Sequence, residues 1–413
     1  MWIYIFILLL QLGELIELQI VGTISASGLV YVGWFAYRII TGEFINDLNS
    51  KIIRKITILY MLLFLSQLAS EIIVGNEISN AMKGLAVTIL SYTKVICLWG
   101  LVKRDGRRIT WLFFCMVVSG AISFQFLTDT EFRLESLIEG VEYSIFKFKI
   151  APLIGEMLVV FSLITKNQKY LSLASMLIGA ACAVLGARSM GLMIFLTGAI
   201  VFAIGHMNKH ISRQQVLEWS VLGGILSYGL FILYVNAVLS GAIVGGNSKN
   251  QFVKVDNPYN PLYILLSGRT ESYSSLSAIT DKPLTGFGAW AKDPGFKYHK
   301  IMSKYSGNEF SVAKITVDVI PTHSVILGTG VNEGIIAMCL VLCIIWLFIV
   351  KGAKSLYKGS QYNYLLVFCI MQLLWNSLFS PVSHFRNGFP IYFCCCLFAY
   401  RQLLIKKVKT ILT

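Results

Sequence analysis

Three cationic residues stand in short polar motifs whose chemistry suits a phosphorylated substrate. Arg188 lies in "GARSMG", Arg269 in "SGRTE" and His323 in "PTHS". An arginine offers a planar, permanently charged fork that holds phosphate through two hydrogen bonds. A histidine, with an unperturbed pKa of about 6.5, transfers protons near neutral pH. These residue types predict a site that binds an anionic lipid headgroup or a lipid-linked pyrophosphate and moves a proton.

Each candidate also has a purely structural interpretation, which the sequence leaves open. A single arginine at a membrane boundary commonly extends its charge to lipid headgroups. His323 precedes an apolar run, so it is equally suited to capping the start of a helix. Glu333 follows on nearly the same helical face but deeper, where it would line a polar cavity or bind substrate.

A second set of candidates lies in neighbouring polar segments. "VSHFRNGFP" (382–390) carries His384 and Arg386, which are suited to binding phosphate or sugar. Trp290 is suited to stacking on a sugar ring. The same segment of the chain also holds Phe296, Tyr298, Tyr305 and Phe310. These aromatic side chains fit equally well as interfacial anchors or as a small core of their own loop.

No metal site is predicted. Neither His323 nor Glu333 has a second His or Cys at ligand spacing, and the chain has no HExxH motif. All nine cysteines fall within apolar runs, and the "CCC" stretch at 394–396 has no partner histidine. We interpret the cysteines as small apolar residues and expect no cofactor.

The elements that position these residues follow from composition. The chain has 413 residues, of which 56% are hydrophobic and only 14% are charged, and its mean hydropathy is +0.70. Such usage is typical of a membrane protein. We predict an all-α polytopic fold of about twelve transmembrane helices. The predicted spans are 2–13, 18–40, 56–75, 80–102, 109–127, 150–165, 170–187, 189–207, 217–240, 325–350, 362–380 and 388–405.

Charge predicts the orientation of these spans. Alternate loops and the C-terminal tail carry more than half of the 35 lysines and arginines, so the positive-inside rule places these loops and both termini in the cytoplasm. The net charge of +14 therefore reflects topology. Binding of nucleic acid is not expected, because the basic residues are scattered over several short loops.

One integral domain, 1–413, is the simplest organisation, since no internal repeat is found. A large outer loop covers 241–322 and contains Arg269. A second outer segment, 128–149, has apolar residues at helical spacing and predicts a helix on the bilayer surface. Glu71 and Lys94 fall inside predicted spans, where an ionisable group is either functional or neutralised by a partner.

The motifs, taken in order, resemble a known family. "GARSMG", the "SGR…AI…KPLTGFG" block and "TH…NEG" occur around one long outer loop. This arrangement resembles the superfamily of O-antigen polymerases and O-antigen ligases, which are bacterial inner-membrane glycosyltransferases. The resemblance implies a GT-C-like fold, a periplasmic site, an undecaprenyl-pyrophosphate-linked glycan as substrate, contact with membrane lipid, and a chain-length regulator protein as partner.

The resemblance also implies roles for individual residues. Arg188 and Arg269 would engage the donor pyrophosphate, and His323 would activate the acceptor hydroxyl. The sequence departs from the family pattern at Ser324, where asparagine is frequent, and at Tyr273, where tryptophan is common. It also departs at Met190, where a small residue is usual.

Three functions remain open from the sequence. Polymerisation of lipid-linked repeat units is favoured, because the departures suit the more divergent polymerase group. Ligation of finished glycan to a lipid A core shares the donor chemistry and so the same arginines. A multipass transporter or lipid-linked-glycan flippase is a different class, in which Glu71 and Lys94 would be essential instead.

Overall fold

The structure is a computed structural model and describes residues 2–19, 22–126, 145–165, 167–206, 221, 225, 228–229, 231–242, 252, 257–261, 264, 269–306, 310–312 and 318–412. Within these ranges the chain is almost entirely helical. The helices are α1 (Trp2–Gly13), α2 (Ala26–Ile40), α3 (Glu43–Leu48), α4 (Lys51–Val74), α5 (Ile78–Val102), α6 (Arg107–Phe126), α7 (Ala151–Ile164), α8 (Gln168–Val184), α9 (Arg188–His206), α10 (Glu271–Asp281), α11 (Lys297–Ser306), α12 (Val325–Lys354), α13 (Asn363–Phe379), α14 (His384–Asn387) and α15 (Phe389–Leu412).

The helices confirm the class of a helical membrane protein. Five of them, α4, α5, α9, α12 and α15, are long and apolar enough to cross a membrane. Four shorter apolar helices, α1, α2, α8 and α13, accompany them. A helix occupies each predicted span other than 217–240. In the span 217–240, residues 221, 225, 228–229 and 231–239 are helical, and the positions between them lie outside the described residues. The total of twelve crossings therefore stays a prediction.

The predicted span 18–40 is wrong at its start. Residues Glu17–Gln19 (β1) and Thr23–Ser25 (β2) form an antiparallel hairpin, in which Glu17 pairs with Ser25. Its turn contains Gly22 at a φ of 79°. Ser25 then ends the hairpin and caps α2, because its hydroxyl accepts a hydrogen bond from the amide of Gly28. The polar residues in this stretch favour local hydrogen bonds over a buried helix.

The two segments predicted to lie outside are described only in part. Most of the predicted surface helix 128–149, including Arg133, lies outside the described residues. Its last residues, Phe146–Ile150, form a π-helical turn that continues directly into α7. The large loop 241–322 is described mainly from 269 onward, where it forms α10 and α11.

The pair α8 and α9 packs at very close range. A Cβ atom added at Gly191 would lie 2.6 Å from the backbone nitrogen of Ala183, and one added at Gly179 would lie 2.5 Å from that of Phe195. Small residues at such an interface let two membrane helices approach backbone to backbone. This contact rigidly fixes the short turn that carries Arg188 between the two helices.

Three of the described basic residues in or beside the bundle, Arg38, Lys94 and Lys103, form ion pairs. Lys94 donates a 2.7 Å hydrogen bond to Glu14 from α5 to the segment after α1, which confirms a neutralised pair at Lys94. Near the predicted cytoplasmic end, the fully buried Arg38 contacts Asp47 at 2.5 Å, and Lys103 contacts the same carboxylate. Pairing of this kind offsets the desolvation of each charge.

Candidate functional site

Five cationic or titratable side chains come from five separate segments. Arg188 is the first residue of α9, and Arg269 lies just before α10. His323 precedes α12, and His384 begins α14. Lys147 belongs to the π-helical turn before α7. We call this set the cationic cluster.

Electrostatic interactions show that these residues are neighbours. Burial, and then the charges of Arg188 and Arg269, lower the pKa of the Lys147 ammonium. Burial and the charge of Arg269 lower the pKa of His323, and Glu271 opposes this shift. Each member therefore affects another across segments that are distant in sequence.

His384 joins the cluster through His323. Burial, followed by interaction with His323, lowers the pKa of His384. Both imidazoles consequently favour the neutral form, which is the form that accepts a proton. Arg269, His323 and His384 are thus linked by successive electrostatic interactions.

Arg269 contacts the face of an aromatic ring. Its guanidinium lies 5.5 Å from the ring centroid of Phe379, the last residue of α13. Burial lowers the pKa of the arginine, and Glu271 partly compensates; it stays charged because the normal pKa of arginine is far above neutrality. A stacked arginine keeps its hydrogen-bond donors available to an anion.

His323 does not cap α12. The cap is Ser324, whose hydroxyl accepts a 3.1 Å hydrogen bond from the amide of Leu327 and donates one of 3.0 Å to the carbonyl of Ser377. The first bond caps α12, and the second joins the backbone beside His323 to α13. The capping interpretation of His323 is therefore wrong, and its partly enclosed side chain still reaches solvent.

The remaining sequence candidates have contacts with other segments of the fold. Arg386 donates a 2.9 Å hydrogen bond to the carbonyl of Thr23, so it contacts the hairpin. Glu333 is only 2% exposed and faces α4. Trp290 is 57% exposed, and the ammonium of Lys83 on α5 lies 5.9 Å from its ring. Their role in binding substrate stays a prediction.

The loop aromatic residues divide into two groups. Tyr298 is 1% exposed and packs with Phe287, so it belongs to the core of the loop. Tyr305, by contrast, is half exposed and stacks on Tyr273 with ring centroids 4.1 Å apart. Because Tyr273 lies one helical turn beyond Arg269, this stacked pair adjoins the cationic cluster.

The "PLTGFG" turn docks into a break in α12. At Gly334 the backbone leaves the helix, with φ 84° and ψ −179°. The amides of Phe287 and Gly288 donate 2.8 Å hydrogen bonds to the carbonyls of Val331 and Asn332, and that of Ile335 donates to Pro283 at 2.7 Å. The turn thus replaces the missing helical bonds and fixes the segment that follows Arg269.

Lys147 and Phe379 were not anticipated from the sequence. Lys147 lies in the segment 128–149, for which a surface helix is predicted. Phe379 lies at the end of the apolar run 362–380 and has no feature in the sequence that distinguishes it. No described group of three or more His, Cys, Asp or Glu residues could hold a metal ion.

The fold and site define a helical membrane protein with a cationic, histidine-containing site at one end of its bundle. No model of a known protein family matches the sequence, and no curated protein does so either.

Proposed function

We propose that this protein is a glycosyltransferase that polymerises undecaprenyl-pyrophosphate-linked oligosaccharide repeat units at the outer face of the bacterial inner membrane. One observation carries the proposal: Arg188, Arg269 and His323, from three distant motifs, interact electrostatically around one site, with Lys147 as the link between the arginines. Two guanidinium groups and an ammonium group match the charge of a pyrophosphate.

The residue types support an inverting displacement. The acceptor hydroxyl oxygen forms a bond to the anomeric carbon, and the bond from that carbon to the pyrophosphate oxygen breaks. The electron pair leaves with undecaprenyl pyrophosphate, whose growing negative charge the two arginines stabilise. Neutral His323 takes the proton of the acceptor hydroxyl.

The stacked pair of Tyr273 and Tyr305 suits the acceptor sugar. A sugar ring places its C–H face on an aromatic ring, and a pre-stacked tyrosine pair offers a rigid platform at little entropic cost. The half-exposed ring of Tyr305 is available for this contact. Bound there, the acceptor lies within one helical turn of Arg269 and so beside the donor.

The buried charges weaken the case for a transporter. Lys94 is paired with Glu14, and the carboxylate of Glu71 accepts a 2.8 Å hydrogen bond from the amide of Ala289 in the docked turn. Both contacts give these residues structural partners. Ligation to a lipid A core remains the alternative that shares the same site.

The test is glycan extension by the purified protein in lipid nanodiscs supplied with the lipid-linked repeat unit alone. We expect a ladder of longer lipid-linked glycans, which Arg188→Gln and Arg269→Gln abolish. Arg104→Gln, at an exposed arginine between α5 and α6, is the matched control and should leave the ladder unchanged. Extension only after a lipid A-core acceptor is added would indicate a ligase instead.

A further inference from the structure

Two carboxyl groups meet where α4 ends and α12 breaks. Glu71 is 5% exposed and Glu333 is 2% exposed, and the two groups are close enough for their charges to interact. Neither residue takes part in the chemistry of the cationic cluster. Two buried carboxyl groups side by side require a specific physical explanation.

The docked turn brings the two residues together. The amide of Gly288 donates to the carbonyl of Asn332, immediately before Glu333. The next amide along the turn, that of Ala289, donates to Oε1 of Glu71 at 2.8 Å. Consecutive amides of one segment therefore bind both carboxyl-bearing segments, which fixes their separation independently of any titration.

The hydrogen bonds around the pair are donated to the carboxyl groups. Glu71 accepts from Ala289 and also from Nδ2 of Asn76 at 2.6 Å. The side chain of Gln67 hydrogen-bonds Glu333, while its own oxygen accepts a 2.7 Å bond from Thr88. Since Gln67 must then donate, the groups that meet the two carboxylates are all donors.

One oxygen has no partner. Oε2 of Glu333 is buried and accepts no hydrogen bond from any described residue. No described lysine or arginine forms an ion pair with Glu333 or Glu71. The neighbouring ammonium groups, Lys83 and Lys282, lie over the rings of Trp290 and Phe287. The two carboxyl groups thus have no counterion among the described residues.

We propose that Glu71 and Glu333 bind one small, hard inorganic cation between the end of α4 and the break in α12. Carboxylate and carbonyl oxygens are the ligands that such ions prefer. The unpartnered Oε2 of Glu333 supplies one ligand and the Glu71 carboxylate another. A bound cation joins α4, α12 and the docked turn, so its binding stabilises the outer end of the bundle.

Thermal unfolding of the whole protein tests this site. The protein is placed in nanodiscs of phosphatidylcholine, freed of metal with a chelator in choline chloride, and titrated separately with Na⁺, K⁺, Mg²⁺ and Ca²⁺ at constant ionic strength. We expect one of these ions to raise the Tm with saturation. Glu333→Gln should weaken ion binding, so the half-saturating ion concentration should rise by about tenfold or more.

Glu77→Gln is the matched control, because Glu77 directly precedes α5, six residues after Glu71, but is exposed. It should leave the ion response unchanged. A second measurement, binding of radioactive ²²Na⁺ or ⁴⁵Ca²⁺ to the unaltered protein, should give one ion per chain and does not depend on the stability of a variant. The proposal is overturned if no ion binds, if Glu333→Gln responds as the unaltered protein does, or if the Tm responds to pH but to no metal ion.

Discussion

The guanidinium of Arg269, which precedes α10, lies 5.5 Å from the ring centroid of Phe379 at the end of α13. The contact joins the outer loop to the helical bundle. It also orients a planar cation whose hydrogen-bonding edge remains available to a ligand.

Two replacements of Arg269 should distinguish the effect of its positive charge from the effect of its planar shape. We expect Arg269→Gln to lower kcat for glycan extension by about 10²–10³-fold, because a group that stabilises the leaving pyrophosphate is lost. Arg269→Lys should retain only part of the activity, since an ammonium neither stacks as a plane nor binds phosphate through two bonds. Initial rates of extension measure both; equal activity of the lysine variant and the unaltered protein would contradict the stacked clamp.

The pH dependence should follow His323. Burial and Arg269 lower its pKa, so the neutral form persists below the usual range, and the acidic limb of kcat/KM should lie below about pH 6.5. Glu271 acts in the opposite direction. Glu271→Gln removes a charge that favours the protonated ring, so the acidic limb should move to still lower pH. A shift to higher pH in this variant would refute the role of His323 as base.

The aromatic platform should affect the acceptor more than the donor. Tyr305→Ala removes the half-exposed ring, and we expect a higher KM for acceptor glycan, with a loss of about 1–3 kcal/mol of binding as for other stacked aromatic groups. Tyr305→Phe should behave normally, because the ring is kept. Tyr37→Ala, at an exposed tyrosine on α2, is the control. Competition between acceptor glycans of different length gives the KM values.

The break in α12 should not tolerate a side chain. A Cβ atom at Gly334 would lie 2.2 Å from the carbonyl oxygen of Leu284, and the φ of 84° is itself unfavourable for other residues. We expect Gly334→Ala to destabilise the docked turn by about 1–3 kcal/mol or more. Limited proteolysis of the outer loop should then become faster. Gly33→Ala, in open space on α2, should leave proteolysis unchanged.

The effect of replacing Lys94 on stability should depend on whether Glu14 is present. Lys94→Met leaves a carboxylate unpaired inside the bundle, and we expect a loss of about 3–5 kcal/mol in unfolding free energy. Adding Glu14→Gln should restore much of the stability and of glycan extension. Thermal unfolding and extension assays of both variants measure this. An active enzyme in the double variant would argue against a coupling role in transport.

The extent of the helices was predictable, because long apolar runs leave few other structures available in a membrane. The hairpin before α2 was not, since its two strands are only three residues each and their polar groups are satisfied locally. Short elements of this kind carry no periodicity that a hydropathy scan detects.

The candidate site was predictable in residue type but not in arrangement. Arg188, Arg269 and His323 were recognisable because they stand in short polar motifs and because arginine and histidine suit phosphate binding and proton transfer. The packing of α7, α12 and α4 determines two further features. It brings Lys147 to these residues, and it turns Glu333 toward Glu71. Packing of side chains between distant segments has no signature along the sequence.

On the predicted topology α1 crosses the membrane, and its shortness should then affect the surrounding lipid. Its 12 residues span about 18 Å, well below the roughly 30 Å of a hydrocarbon layer, and the chain then turns into the hairpin. Hydrophobic mismatch of this size thins the adjacent leaflet. The headgroup layer at this edge should therefore lie closer to the hairpin and Arg386. A lipid-linked phosphate, the proposed substrate group, would then move a shorter distance out of the bilayer to reach the protein.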